Sequence, residues 1–335
     1  MNFRRAMLAI AFSALAFGAQ AQSPIGARAI NTGSAAGAYH STFCPPIPRV
    51  LANAYFQGYQ CTESVGTLQN IERVLATPTN IGFVQFDVFA REASRRPELS
   101  RLQVVRADIA CEGLWMVTRN PDLDFGRVLG LSRRIRWVLP PAASGSTASF
   151  NYLRSIDPEG LGRAPDSNIT HMNSATDVIR NIAASTDGSV GFFVQFADPR
   201  NANIKLMVEQ GLRVIPVISR EILRARVGET SVYQAQTFSL SEGSFLGIGG
   251  RAQTATTACT QVALITGAAE AFSDRNARDD ATEMTARLRS VPASDLMPQD
   301  GVVSRILRQA NRLSQSAVDA AVEGVETARR AVVER

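Results

Sequence analysis

Ile30-Asn31-Thr32-Gly33-Ser34-Ala35-Ala36-Gly37-Ala38-Tyr39-His40 reads as a strand end, a loop of small residues and the start of a helix. Glycines and small side chains there let backbone N–H groups approach a ligand, and a helix start favours an anion. The alternative reading is a plain tight turn. Neither G-x-G-x-x-G nor G-x-x-x-x-G-K is present, which argues against a nucleotide-phosphate loop. The same unit recurs as Leu139-Pro140-Pro141-Ala142-Ala143-Ser144-Gly145-Ser146-Thr147. Two such loops, one per domain, can face each other across a cleft and share one carboxylate-bearing ligand.

Outward from these loops, strand-like and helix-like segments alternate. Arg28–Thr32 is followed by a helix over about Thr42–Ala54, a strand over Gln57–Thr62, a helix over Leu68–Ala76 and a strand over Asn80–Gln85. A helix from Asp87 leads to the apolar stretch Leu102–Val117, interrupted by Glu112-Gly113. A second series starts at Arg136–Leu139 and runs to a short helix over Ser219–Ala225. Such repetition predicts parallel strands covered by helices. Gly228–Gln253 reads as an irregular connection, Thr256–Ile265 as a strand, and the remainder as helical. Val303, Leu307, Ala310, Leu313, Ala317, Ala321, Val325 and Val332 outline a final amphipathic helix. It is expected to pack on its own domain, a partner contact being the alternative.

Ile81-Gly82-Phe83-Val84-Gln85-Phe86-Asp87 is echoed by Val190-Gly191-Phe192-Phe193-Val194-Gln195-Phe196-Ala197-Asp198. Each places an amide and then a carboxylate just past a buried strand, where open α/β sheets bind ligands. Asp87 and Asp198 are candidates for that role or for capping the next helix. Trp115 and Trp137 are expected in the core, with the cleft wall as the alternative. Of the loop arginines Arg163, Arg200 and Arg251, Arg200 is the preferred carboxylate clamp.

Residues 1–21 have a cationic start, a short apolar run and Ala19-Gln20-Ala21, the pattern of a secretory signal peptide cut before Gln22. The apolar run is too short for a span of about 20 residues. Phe3 beside Arg4-Arg5 fits a twin-arginine signal poorly, so general secretion to the periplasm is expected. The chain of 335 residues carries a formal charge of +5, and removing Arg4 and Arg5 leaves +3. Its basic residues are scattered and aromatics are only 7%, so a nucleic-acid partner is not expected. Stable membrane insertion of the mature chain is not expected either.

Export gives the four cysteines a meaning, because oxidising compartments favour disulfides. In a parallel βαβ unit, Cys44 at the helix start lies beside Cys61 at the end of the second strand. Cys111 and Cys259 then make the second pair; four buried thiols are the alternative. Two distant histidines, His40 and His171, give no support for a triad around Ser144, nor for a metal site. His40 is either a donor to a bound carboxylate or a helix residue, and His171 is assigned no role. No catalytic residue and no cofactor is expected.

These features resemble the TAXI-type solute receptors of TRAP transporters, within the type II periplasmic binding protein class. Thr32–Tyr39 is similar to that family's opening small-residue loop, with His40 standing at its second tyrosine. Thr62-Glu63-Ser64-Val65-Gly66-Thr67-Leu68-Gln69-Asn70, Gln85-Phe86-Asp87 and Ala143-Ser144-Gly145-Ser146-Thr147 resemble its next three motifs. The resemblance covers about Arg28–Ile265, while the basic stretch usual before the second-domain strand is replaced by Leu131-Ser132-Arg133-Arg134-Ile135. It implies an α/β, two-lobed type II binding-protein fold with crossing strands at the hinge and extra C-terminal helices. Lobe 1 would hold residues 22–134 and 254–335, lobe 2 residues 135–225, with 226–253 as the connection. It implies a receptor that delivers a small organic anion, a dicarboxylate or acidic amino acid, to a TRAP-type permease. Gly33, Ser34, Gly37, Tyr39, Ser64, Thr67, Asn70, Gln85 and Asp87 would bind it from lobe 1. Ser144, Gly145, Ser146, Thr147, Gln195 and Arg200 would bind it from lobe 2. An envelope sensor or scaffold acting through protein partners is the alternative.

Overall fold

The computed structural model describes residues 28–35, 37–241, 253–296, 311–312 and 315–333. The expected signal peptide and Arg251 therefore lie outside the described residues. Strands β1 (Ala29–Asn31), β2 (Gln60–Thr62) and β3 (Ile81–Gln85) run parallel, in the order β2-β1-β3. Helices α1 (Pro46–Asn53) and α2 (Thr67–Ala76) cross between them. The first of these was expected from Thr42. Pro45 and Pro46 interrupt it, leaving a single π-helical turn over Tyr39–Phe43 before α1.

Helix α3 (Phe86–Arg95) leads into β4 (Leu102–Thr118), one continuous strand of 17 residues rather than an interrupted stretch. A Cβ at Gly113 would stand 2.5 Å from Cζ2 of Trp115, so glycine admits that indole where the interruption was expected. After α4 (Phe125–Leu131) come β5 (Trp137–Leu139), α5 (Gly145–Ile156), β6 (Ile169–His171), α6 (Ala175–Ala184) and β7 (Val190–Phe196). Helix α7 (Ala202–Glu209), β8 (Arg213–Ile215) and α8 (Arg220–Arg224) complete the series.

The segment 226–253, expected to be irregular, holds the short ribbon β9 (Arg226–Val227) and β10 (Thr230–Ser231) and then β11 (Tyr233–Ser239). β11 pairs along its full length with β12 (Thr254–Gly267). The hydroxyl- and amide-rich composition hid a strand that buries Tyr233, Ala235 and Phe238. Residues 242–252 lie outside the described residues.

The first lobe orders its strands β2-β1-β3-β12-β4, and the second repeats that pattern as β6-β5-β7-β4-β8. In each, the fourth strand is antiparallel to the third. β4 and β12 belong to this crossing region and pair with each other from Leu102↔Gly267 to Gly113↔Cys259. The fold is thus α/β, two-lobed and of type II, with crossing strands at the hinge. Disulfide Cys111–Cys259 joins these two strands, and Cys44–Cys61 joins the start of α1 to β2. Both Trp residues are fully buried, as packing predicts. Along one face a single core runs through both lobes, from Ile71, Val84 and Phe86 to Trp137, Phe150 and Phe192. The other face carries separate cores around Phe43, Ile47 and Phe83 and around Trp115, Ile182 and Phe193.

Helix α9 (Arg275–Ser290) follows β12, and the pair β13 (Asn311–Arg312) adds to β11. Of the expected final helix, Val303, Leu307, Ala310 and Leu313 lie outside the described residues; Asn311 and Arg312 are extended, and α10 spans Gln315–Val333. It packs on α4, which lies within residues 22–134 and whose Phe125, Val128 and Leu129 belong to the core that runs through both lobes. A Cβ at Gly126 would overlap the Val325 carbonyl, and one at Gly130 would stand 2.8 Å from Val332. Amphipathic spacing specified a face; two glycines one turn apart chose the partner. Arg220 of α8 adds an ion pair to Glu326 at 3.3 Å. Among the described residues no helix is long and apolar enough to cross a membrane.

Candidate functional site

A cleft of about 720 Å³ opens where the two small-residue loops meet. From lobe 1 it is lined by Gly33, Ser34, Gly37, Tyr39, Ser64, Thr67 and Gln85, all expected there. From lobe 2 come Ser144, Gly145, Ser146, Gln195 and Arg200, also expected. Asn70, Asp87 and Thr147 do not line it. The family resemblance pointed to Asn70 and Thr147 and the strand-end pattern to Asp87, but all three are buried within their own lobes.

Those three have structural partners. The Asn70 side-chain amide donates to the Thr32 and Phe83 carbonyls at 2.6 and 2.7 Å, tying two strand ends together. Thr147 donates to the Pro140 carbonyl at 3.2 Å. Asp87 is fully buried and accepts from the Tyr233 hydroxyl at 3.0 Å and from the Val88 N–H at 2.8 Å. Burial pushes its carboxyl above the usual range, against those hydrogen bonds. Asp198 caps nothing: it is held by Arg200, whose backbone N–H and Nη2 both donate to it at 2.8 Å.

The lobe 1 loops are built by their neighbours. The Ser64 N–H donates to the Gly33 carbonyl at 3.1 Å, and its hydroxyl donates to the Thr32 carbonyl at 3.0 Å. Gly66 then turns the chain at φ 118°, a region only glycine enters readily, and α2 begins with no side-chain cap. The Thr67 hydroxyl accepts from the Gln85 N–H at 3.0 Å, linking the α2 start to the end of β3. His40 points away from the cleft lining, its Nδ1 lying 2.9 Å from the Thr32 hydroxyl. His171 likewise sits 2.8 Å from the Pro140 carbonyl.

The lobe 2 wall is built by caps. The Ser144 hydroxyl accepts from the Thr147 N–H at 3.2 Å at the start of α5. The Ser146 hydroxyl accepts from the Val194 N–H at 2.9 Å, and Asn201 caps α7. Gln195 accepts from the Asn203 amide at 2.8 Å. Between the lobes Gln85 comes up against Gly145 so closely that any Cβ there would overlap its amide oxygen.

Sequence reasoning missed Ser41, Thr42 and Asn201 of the lining and, above all, Glu112 in β4, which lines the cleft and is only 8% exposed. Its Oε2 accepts from the Tyr39 hydroxyl at 2.7 Å, and the Gln85 side chain bonds it as well. Burial raises its pKa to about 7, Asp87 adds to the rise, and the two hydrogen bonds oppose it. Burial also holds the Tyr39 hydroxyl well above its ordinary value. The available signal was one carboxylate inside an apolar run that continues as a strand. Among the described residues no group of three or more His, Cys, Asp or Glu is placed to hold a metal ion.

Neither protein-family models nor curated proteins match the chain. Solved structures do resemble it, at low identity. MatC from Rhodopseudomonas palustris with bound malate is 11% identical, covering 91% of this chain and 99% of its own, with a TM-score of 0.43. The periplasmic VFT2 domain of BvgS from Bordetella pertussis is 13% identical, over 83% and 93%, at 0.40. An ABC transporter periplasmic substrate-binding protein from Coxiella burnetii is 10% identical, over 85% and 100%, at 0.39. At such distances the likeness says nothing of what this chain binds.

Proposed function

We propose that the chain is an exported, non-catalytic receptor that captures a small organic anion between its lobes and hands it to a TRAP-type membrane permease. The observation that carries this reading is the construction of the cleft. Loops from both lobes, the uncapped start of α2 and the hydroxyls of Ser34, Ser64 and Ser146 surround one space. Helix starts and backbone N–H groups favour negative charge. The volume suits a small molecule rather than a polymer. Dicarboxylates and acidic amino acids match donors arriving from opposite walls. The permease and the periplasm enter through the family resemblance and the signal-like residues 1–21.

A thermal-shift panel of dicarboxylates and acidic amino acids tests the reading. A ligand at a hundred times its Kd stabilises by about 2.7 kcal/mol. A clear rise in Tm with at least one acid is expected; no rise with any at millimolar concentration overturns the proposal.

A further inference from the structure

A cleft built to attract anions has a carboxyl on its floor. Glu112 receives hydrogen bonds from Tyr39 and Gln85. Among the described residues no Arg, Lys or His forms an ion pair with it. The charged neighbour on α3 is Asp87, of the same sign. The residues opposite it on the flanking strands, Thr260 of β12 and Phe196 of β7, carry no charge. Arg200, the cation at the cleft, is held by Asp198. An ionised Glu112 would therefore repel a carboxylate brought to it, and among the described residues no cation is paired with Glu112 to offset that repulsion.

We propose that Glu112 determines the cleft's specificity by entering the complex protonated and donating a hydrogen bond to an oxygen of the bound carboxylate, so that capture of an anion takes up one proton from solvent. The inference rests on the small-anion reading of the cleft and assigns that site its chemistry. With a pKa of about 7 the residue is poised to change charge near neutrality. Tyr39 donates to one carboxyl oxygen and so orients the group that the proton sits on. The cleft then takes fully ionised acids tightly on the acid side of neutrality and releases them as pH rises.

The test uses the full chain and the E112Q variant, whose amide keeps a donor without a charge. Succinate, 2-oxoglutarate, L-aspartate and L-glutamate are titrated at several values between about pH 6.5 and about pH 8.5. Wild-type affinity for the acid that binds should fall about tenfold per pH unit above about 7, while E112Q stays flat. Affinity that is flat or rises with pH in the wild type overturns the inference, as does loss of binding in E112Q at every pH. A rise would place a cationic group of the ligand on Glu112. If none of the four acids binds at any pH, the small-anion reading falls and this inference falls with it. Should E112Q not fold, calorimetry of the wild type in buffers of different ionisation heat decides. Uptake close to one proton at about pH 8 supports the inference, and none overturns it.

Discussion

The two lobes build the cleft from the same strand–loop–helix unit yet secure it by different means. In the second lobe the helix starts are capped by side chains: Ser144, Ser174, Asn201 and Ser219 each accept from a backbone N–H of the first turn. In the first lobe α1, α2 and α3, which follow or precede its parallel strands, have no such cap, whereas α4 and α9 are capped by Asp124 and Asp274. Its loops are held from outside, by Asn70, by Ser64 and by the Cys44–Cys61 disulfide. A helix start that spends its N–H groups on its own cap has fewer to give a ligand. At the cleft the first lobe thus presents the uncapped start of α2, and the second the capped start of α5.

The largest effect should come from the hinge that both lobes share. Removing Cys111–Cys259, which closes 148 residues, by paired Cys→Ala changes should cost about 5 kcal/mol in denaturant unfolding on the chain-entropy model. The first-lobe bridge closes 17 residues and should cost about 3 kcal/mol. Equal losses would show that the two bridges do not act through chain entropy.

Glu112 comes next. Its folded pKa is raised from 4.5 to about 7, so the native state binds the extra proton in that window. Its stability contribution is full below about pH 4.5 and disappears as pH rises through about 7. At about 1.4 kcal/mol per unit the loss is about 3 kcal/mol, and E112Q should remove that slope from a stability–pH profile. A slope unchanged in E112Q would assign it to another group, Asp87 first.

Gly33 and Gly145 sharpen the contrast between the loops. A Cβ at Gly33 meets nothing within 4 Å, whereas one at Gly145 overlaps Gln85. G145A should weaken binding of an acid found in the thermal-shift panel about tenfold, the equivalent of about 1.4 kcal/mol. G33A should leave binding within about twofold, or about 0.4 kcal/mol. Reversal of that order in calorimetry would mean that the lobes do not close through Gln85 and Gly145. Smaller still in stability terms, S144A should cost about 1 kcal/mol through the lost cap. Unfolding that matches the wild type would show that the cap contributes nothing at α5.

Much of the fold was legible because it depends on local pattern. Buried parallel strands such as Val190–Phe196 read as apolar runs, and the alternation of strand-like and helix-like segments placed α5, α6 and α7. Cys44 and Cys61 could be paired because a βαβ unit fixes where its helix start lies. β11 was missed because a strand rich in hydroxyl and amide side chains resembles a connection in composition. Twelve of the expected cleft residues face one space, but Asn70, Asp87 and Thr147 turn inward. Spacing along the chain places a residue on an element and leaves its direction to packing.

The amino-acid order by itself determined the alternation of strands and helices, the two small-residue loops and the nearness of Cys44 to Cys61. Those follow from interactions among near neighbours and from the handedness of the βαβ unit. Only the tertiary structure decided that Glu112 lies on the cleft floor beside Tyr39 and Gln85. It also decided that α10 covers α4. Both depend on surfaces that come together from distant parts of the chain. The burial that raises the pKa of Glu112 exists only once β4 is enclosed by them.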